Sequence, residues 1–533
     1  MTVPTPTVGE ALVSMLEQAG VDTVFGIPGV HTIELYRGLA ASTIRHITPR
    51  HEQGAGFMAD GYARVTGRPG VCFLITGPGV TNVLTAMAQA RADSIPMLVI
   101  SGVNAAATLG LGHGHLHELP DQAGLMRSVA LWSHTLTDPA QLGEVMAQAF
   151  SVMTSGRPGP VHIEIPTDVM KLSASGAGFE MPVITALQAS VEDLAAATQL
   201  CAASKQPVIL AGGGAVRSAQ ALRSFAEMLG APVVSTINAR GIMAGHPLDV
   251  PASPSLDSVR ELLNQSDLVL ALGTELGPTD IDMYENGGFT LPGILIRVDI
   301  DPAKLKHGAE PALAINADLG AFLTSMLGSS ETWAKDTTGS DAVKRAATAR
   351  KSALSELGDT YLELVAMVQE IWRSLPDATI VGDSTQMVYA GNMYVEAPRP
   401  ASWFNSATGY GTLGYAAPAA IGAALGHPGR PTVAILGDGG FQFTLAELGS
   451  ARDCNADAAF VVWNNSGYME IETSMLSADI TPIGVTPSAP DFCAIATAFG
   501  LPSRQVSGAA ELAEALSTLP RPCVIEYLDN RKG

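Results

Sequence analysis

The sequence predicts an α/β protein of three doubly wound parallel-sheet domains, on three observations. Short β-branched runs alternate with helical patterns and glycine turns along the whole chain, the rhythm of strand–helix–strand units. At 533 residues the chain exceeds what one core supports, and about three domains of roughly 150–200 residues are expected. Two stretches with little apolar periodicity divide it: Lys171 to Ser190, small, polar and broken by Pro182, and Thr332 to Arg350, charged and containing Gly, Ser and Thr. The expected domains are residues 1–180, 190–335 and 350–533.

Taken in order, the expected strands are Gly70–Ile75 and Pro96–Ile100, then Pro207–Leu210 and Asp267–Leu272, then Val433–Leu436 and Ala458–Trp463. Each is a short apolar run bounded by turn residues, the mark of a strand buried on both faces. The segment from Glu52 to Arg64 reads instead as a helix whose small residues permit close packing. No short-period repeat is present.

Composition narrows the classes. Hydrophobic residues make up 47% and charged residues 15%, a well-buried globular chain. Thirty Lys and Arg against 51 Asp and Glu give a net charge of −21, which argues against nucleic acid and anionic membrane surfaces as partners. A cationic substrate would be tolerated. Five dispersed cysteines without a C-x-x-C pair read as small hydrophobes of a reducing compartment. The start, Met1 to Pro6, has no basic segment followed by an apolar one, and apolar runs fall far short of the roughly 20 residues of a membrane span. A cytoplasmic location is expected.

The most informative spacing lies near the end. A strand delivers Gly437-Asp438-Gly439-Gly440, and a second delivers Asn464-Asn465, with Asn465 standing 27 positions after Asp438. Glycines let backbone approach a phosphate closely. The Asp438 carboxylate, the Asn465 amide oxygen and the Gly467 carbonyl are hard ligands suited to Mg²⁺ held against a diphosphate. GDG alone is a common turn; GDG followed by NN at this distance is specific. Near the other end, Arg50 to Arg64 places Glu52 at the head of a helix, where burial favours a neutral carboxyl unless hydrogen bonds compensate and the helix terminus favours the anion.

Together these stretches resemble the acetolactate synthase / 2-oxo acid decarboxylase superfamily of thiamine diphosphate enzymes. Further matches are Val24 to His31, Ile75 to Asn82, Gly156 to Val161 and Gly409 to Gly414. The resemblance covers nearly the whole chain. It implies a pyrimidine-binding, a central and a diphosphate-binding domain. Glu52 would drive the aminopyrimidine to its imino tautomer, which makes the thiazolium ylid. Pro28, Gly77, Asn82, Ser384, Thr385, Gly411, Leu413, Gly437, Asp438, Gly439, Gly440, Asn465, Gly467 and Tyr468 would hold the cofactor. Leu413 would wedge it in a bent form, and Asp438, Asn465 and Gly467 would bind Mg²⁺. His31 sits where relatives meet the substrate. His113, His115 and His117 alternate in a segment where decarboxylases carry an adjacent His pair; His115, His117 and Glu472 join His31 as expected catalytic groups. Alternating histidines could suggest a zinc site, but no fourth ligand is apparent.

Three features bear on which reaction is run. Leu116-His117 stands where acetolactate synthases have Phe-Gln, and Gly273 to Asp280 replaces their FAD-contacting segment, so the central domain, despite Gly212-Gly213-Gly214, is expected to be a spacer without FAD. The catalytic Glu of pyruvate decarboxylases matches Ile471, flanked by Glu470 and Glu472. The resemblance therefore implies non-oxidative decarboxylation of a 2-oxo acid through ylid and enamine, with acetolactate-type carboligation as the alternative. A non-catalytic subunit of this fold is a third class, opposed by the presence of Glu52, Asp438 and Asn465. The pattern including Leu116 to Gln122 and Thr481 to Val485 is similar to bacterial proteins grouped with 5-guanidino-2-oxopentanoate decarboxylase. Self-association as a homodimer or homotetramer is implied.

Overall fold

A computed structural model describes residues 5–282, 287, 289–329 and 340–529. Its strands are β1 (Thr23–Gly26), β2 (Arg45–Ile47), β3 (Gly70–Leu74), β4 (Met97–Val103), β5 (Trp132–Thr135) and β6 (Pro160–Pro166), followed by β7 (Pro207–Ala211), β8 (Val233–Ser235), β9 (Asp249–Val250), β10 (Leu268–Leu272), β11 (Ile294–Asp299) and β12 (Leu313–Asn316). The last six are β13 (Thr379–Gly382), β14 (Trp403–Asn405), β15 (Thr432–Gly437), β16 (Ala458–Asn464), β17 (Ser503–Val506) and β18 (Cys523–Leu528). They form three parallel six-stranded sheets with flanking helices, the α/β architecture expected.

The chain divides into two compact units, Met1–Ile184 with Tyr410–Val506 and Leu519–Gly533, and Thr185–Gly409 with Ser507–Thr518. In the first unit lie the sheet β2-β1-β3-β4-β6-β5 and the strands β15-β16-β18-β17. In the second lie the sheet β12-β11-β10-β7-β8-β9 and the pair β13-β14. Strands β3, β4, β7 and β10 are buried at every position, as continuous apolar runs in a parallel sheet should be.

The first unit contains an unusually close helix crossing. Helices Glu52–Thr66 and Ala416–Gly426 meet where a Cβ on Gly61 would collide with the Ala419 carbonyl, and one on Gly422 with the Met58 carbonyl. Below the crossing, Arg64 is paired with both Asp60 and Asp93, and the Tyr415 hydroxyl donates to Asp60. A buried acid that keeps such partners avoids the several kcal/mol that an isolated buried charge costs.

The stretch Thr332 to Arg350 differs from the expectation of a linker. Its part 332–339 lies outside the described residues, but a helix runs Ser340–Glu356. Ala342, Ala346, Ala349 and Ala353 are all buried on it. That spacing is helical, and it was obscured because alanine is a weak hydrophobic signal among charges. Lys171 to Ser190 carries no helix or strand past Lys171. Residues Met1 to Pro4 lie outside the described residues. No described helix is long and apolar enough to cross a membrane.

Gly61→Ala and Gly422→Ala are each expected to destabilise the chain by about 1–3 kcal/mol, overpacking outweighing the better helix propensity of alanine. The check is the urea midpoint at fixed protein concentration. Gly156→Ala, whose Cβ would meet nothing within 4 Å, should leave that midpoint unchanged.

Candidate active site

Parallel pairing aligns the carboxyl ends of β1, β3 and β4, with Gly26 opposite Phe73 and Leu74 opposite Ser101. Ligands of α/β sheets bind beyond such ends. After β1 the chain makes a tight turn in which the Gly29 amide donates to Thr32 Oγ1 at 3.2 Å and the Thr32 amide to the Gly29 carbonyl at 3.0 Å. Pro28 is exposed on this turn, whereas His31 turns inward and is 7% exposed. After β4 the chain brings in His117 with a left-handed backbone, φ 60°. The two imidazole centroids are 5.3 Å apart, and both Nδ1 atoms are buried without a hydrogen-bond partner among the described residues. Burial, aided by the charge of His117, pulls the His31 pKa below its ordinary value. Gly77, at φ 66°, supports this corner, because a Cβ there would strike the His117 carbonyl.

Beneath the pair runs a buried polar network that sequence reading did not assign. Gln122 Oε1 accepts from Thr76 Oγ1 at 2.6 Å and the Gly77 amide at 3.0 Å. Its Nε2 donates to the Gly102 carbonyl at 3.0 Å and to Glu164 Oε2 at 2.9 Å. Glu164, at the carboxyl end of β6, has its pKa raised by burial against the opposing hydrogen bonds of Thr135 and Gln122. Gln122 lies in the motif Leu116 to Gln122, so its position was visible while its task of holding the Gly77 turn was not.

Glu52 opens the helix Glu52–Thr66, capped by His51, whose Nδ1 accepts from the Gln53 amide at 3.2 Å. It is 9% exposed, and its Oε2 accepts a 2.9 Å hydrogen bond from Asn82 Nδ2. Its Oε1 faces Gly79 on the first turn of the helix Pro78–Ala92, 3.7 Å from where a Cβ would stand. Two sequence-predicted residues, Glu52 and Asn82, thus form one hydrogen-bonded pair.

A second cluster forms beyond β15 and β16. Asp438 begins a single helical turn, Asp438–Phe441, and is 1% exposed. The Asn465 amide reaches both Asp438 Oδ1, at 3.2 Å, and the Gly467 carbonyl oxygen, at 2.9 Å, with the same terminal atom. With nitrogen there, it donates twice. With oxygen there, three oxygens converge with no proton among them, which only a cation would stabilise. Asp438 Oδ2 is buried without a hydrogen-bond partner among the described residues. Burial raises the Asp438 pKa, opposed by backbone amides including those of Asn465, Gly467 and Gly439. The donor set fits a hard divalent ion. Gly467, at φ 154°, and Tyr468 are fixed by Val485, whose carbonyl accepts the Tyr468 amide at 2.8 Å. Gly439 must lack a side chain because the Tyr468 ring occupies that space. Gly437 and Gly440 flank the same turn.

Leu413 is half-buried between Gly411 and Gly414, at φ 72° and 79°. Glu472 is half-buried and Glu470 exposed on the first turns of the helix Met469–Ser477. Ser384 and Thr385 belong to the second unit, where Thr385 stands at the N-cap position of the helix Gln386–Met393 without a side-chain cap. His113 and His115 are exposed, their rings 6.2 Å apart, on a loop whose amides at Gly112 and His115 donate to Glu118 at 2.8 and 2.9 Å. The histidines enter no metal-capable cluster among the described residues.

Comparison with known proteins identifies the family. Family models match over residues 6–125 (thiamine pyrophosphate enzyme, N-terminal TPP binding domain), 194–326 (central domain) and 383–527 (C-terminal TPP binding domain). The chain is 44% identical over 520 residues to the Probable 2-ketoarginine decarboxylase of Pseudomonas aeruginosa, covering 95% of this chain and 91% of that one. It is 31% identical over 536 residues to the acetolactate synthase isozyme 1 large subunit of Escherichia coli, covering 97% and 93%. With the acetolactate synthase large subunit of Corynebacterium glutamicum it shares 31% over 554 residues, 98% and 86% of the two chains. The chain belongs to the thiamine pyrophosphate enzymes, as a thiamine diphosphate-dependent decarboxylase or carboligase.

Proposed function

We propose that the chain catalyses the Mg²⁺-dependent, non-oxidative decarboxylation of a 2-oxo acid. The first substrate to try carries a guanidinium: 5-guanidino-2-oxopentanoate, which is 2-ketoarginine. The observation that carries the reading is the inward-facing pair His31 and His117 on the sheet edge that also bears Glu52, in a chain 44% identical over nearly its full length to a relative named as a 2-ketoarginine decarboxylase. Thiamine diphosphate supplies the electron sink for the departing carboxylate; the chain supplies position and protons.

Glu52, oriented by Asn82, is the carboxyl proposed to hydrogen-bond the aminopyrimidine. Asp438, Asn465 and Gly467 would hold Mg²⁺ against the diphosphate. His31 and His117 have free nitrogen faces that can orient a substrate carboxylate or relay a proton. His115, two residues before His117, and Glu472 complete the proposed acid–base set. The acetolactate-type alternative shares every step up to CO₂ release, and is favoured by the 31% identical synthases and by Ile471 standing where decarboxylases carry their Glu. We further propose self-association, supported by apolar side chains left exposed around these loops, Val30 at 63%, Phe443 at 58% and Ile483 at 79%.

Product analysis discriminates the two reactions. With cofactor and Mg²⁺, CO₂ and one equivalent of aldehyde from the guanidino acid are expected; an acetohydroxy acid from pyruvate would transfer the case to carboligation. Glu52→Gln should keep cofactor binding and lose exchange of the cofactor C2 proton for deuterium, whereas unchanged exchange would refute the assignment of Glu52. For Asp438→Asn, calorimetric titration should show cofactor affinity no longer responding to Mg²⁺, because the buried anion that the cation neutralises is gone. The His31 pKa lies below its unfolded value of about 6.5, so the folded state holds fewer protons. This group's share of stability is therefore present above about pH 6.5 and lost as pH falls toward the folded value. In the cofactor-free chain, His117→Asn should move the His31 titration, followed by NMR of ¹³C-labelled histidine, upward but not fully, since burial is the larger cause.

A further inference from the structure

Glu447 begins the helix Glu447–Asp453 and is 1% exposed. Its Oε1 accepts from the Arg50 amide at 3.0 Å and the His51 amide at 3.1 Å, and its Oε2 from Ser450 Oγ at 2.6 Å. These two amides immediately precede Glu52. The approach is so close that a Cβ on Gly54 would collide with Oε1, which ties the choice of glycine at 54 to the presence of this carboxylate. The Glu447 amide in turn donates to the Thr444 carbonyl at 3.0 Å, and Thr444 Oγ1 donates to the Gly414 carbonyl at 3.0 Å, next to Leu413.

A second link joins the same segments, the ion pair of Arg50 Nη2 with Asp453 at 2.5 Å, but its side chains are 34% and 61% exposed. Exposed pairs contribute little. The buried carboxylate with three donors therefore holds the segment. Burial raises its pKa, opposed by Ser450, Arg50 and His51, so the hydrogen bonds are what keep it in place.

We propose that Glu447 is a positioning residue for Glu52: by accepting the Arg50 and His51 amides it fixes the first turn of the helix that Glu52 opens, and so sets where the Glu52 carboxyl stands. This rests on the reading of Glu52 as the group that meets the cofactor. What matters is the reach of an acceptor oxygen rather than its charge. Glutamine at 447 keeps that reach: its carbonyl accepts both amides, and its amide donates to Ser450 Oγ, whose proton then serves the Thr48 carbonyl, 3.2 Å away. Aspartate keeps the charge and withdraws the oxygens by one methylene.

The test uses the full-length chain as wild type, Glu447→Gln and Glu447→Asp. Without cofactor, hydrogen–deuterium exchange of the peptide spanning Thr48 to Gly54 should quicken for the Asp variant and match wild type for the Gln variant. With saturating thiamine diphosphate and Mg²⁺, deuterium exchange at the cofactor C2 should slow on the order of 10–100-fold in the Asp variant, the cost of a misplacement near 1 Å. The Gln variant should stay near wild type, and cofactor affinity should be the same in all three. Wild-type rates in the Asp variant at both readouts would overturn the proposal. So would equal loss of cofactor affinity in both variants, the mark of a merely structural role. Absence of C2 exchange in the wild type itself, with cofactor bound, would instead overturn the reading of Glu52 on which the proposal stands.

Discussion

Because the strands of all three sheets run parallel, every one must be joined to the next by a crossover, and the loops that follow the strands collect along one edge. Residues far apart in sequence become neighbours there without any of them being specified individually. His31 follows β1, Gly77 follows β3 and His117 follows β4, and they meet because those three strands are adjacent. Asp438 follows β15 and Asn465 follows β16, which pair in register from Thr432 opposite Ala458 to Gly437 opposite Trp463. The separation of Asp438 from Asn465 in sequence is thus the length of one helix and one buried strand.

The chain also buries several carboxylates, which is costly, and each is accommodated differently. Among the described residues, Glu52 accepts one side-chain amide, that of Asn82, at Oε2. Glu447 has three donors and no solvent, which suits a strut. Asp60 shares Arg64 with Asp93 and receives Tyr415, locking the base of the Glu52 helix. Asp438 has backbone amides and one oxygen without a partner among the described residues, the arrangement expected where a ligand completes the shell.

The GDG and NN turns, Glu52 at its helix start and the strand runs were legible because each is local: a turn type, a cap, an apolar run. Asn82 was legible through the resemblance, as a neighbour of the Gly77 turn. Glu447 and Glu164 were not, because nothing local distinguishes a buried acid on a helix or strand from a solvated one; only the Arg50 and Gln122 groups, far away in sequence, give them meaning. The helix Ser340–Glu356 was missed for the related reason that alanines bury little area each, so their stripe reads as polar sequence. Gln122 sat inside a quoted motif, yet its hydrogen bonds to Thr76, Gly77, Gly102 and Glu164 follow from the sheet order and not from its sequence neighbours.

The terminal amide of Asn465 has a further consequence. A half-turn about one bond exchanges an acceptor for a donor at the same point in space, so the Asp438 and Gly467 oxygens can be bridged by protons or by a cation without any backbone movement. Exchange between these two arrangements would cost the chain almost no rearrangement. An ion held here, as proposed above, would be a removable part of the site rather than a staple of the fold.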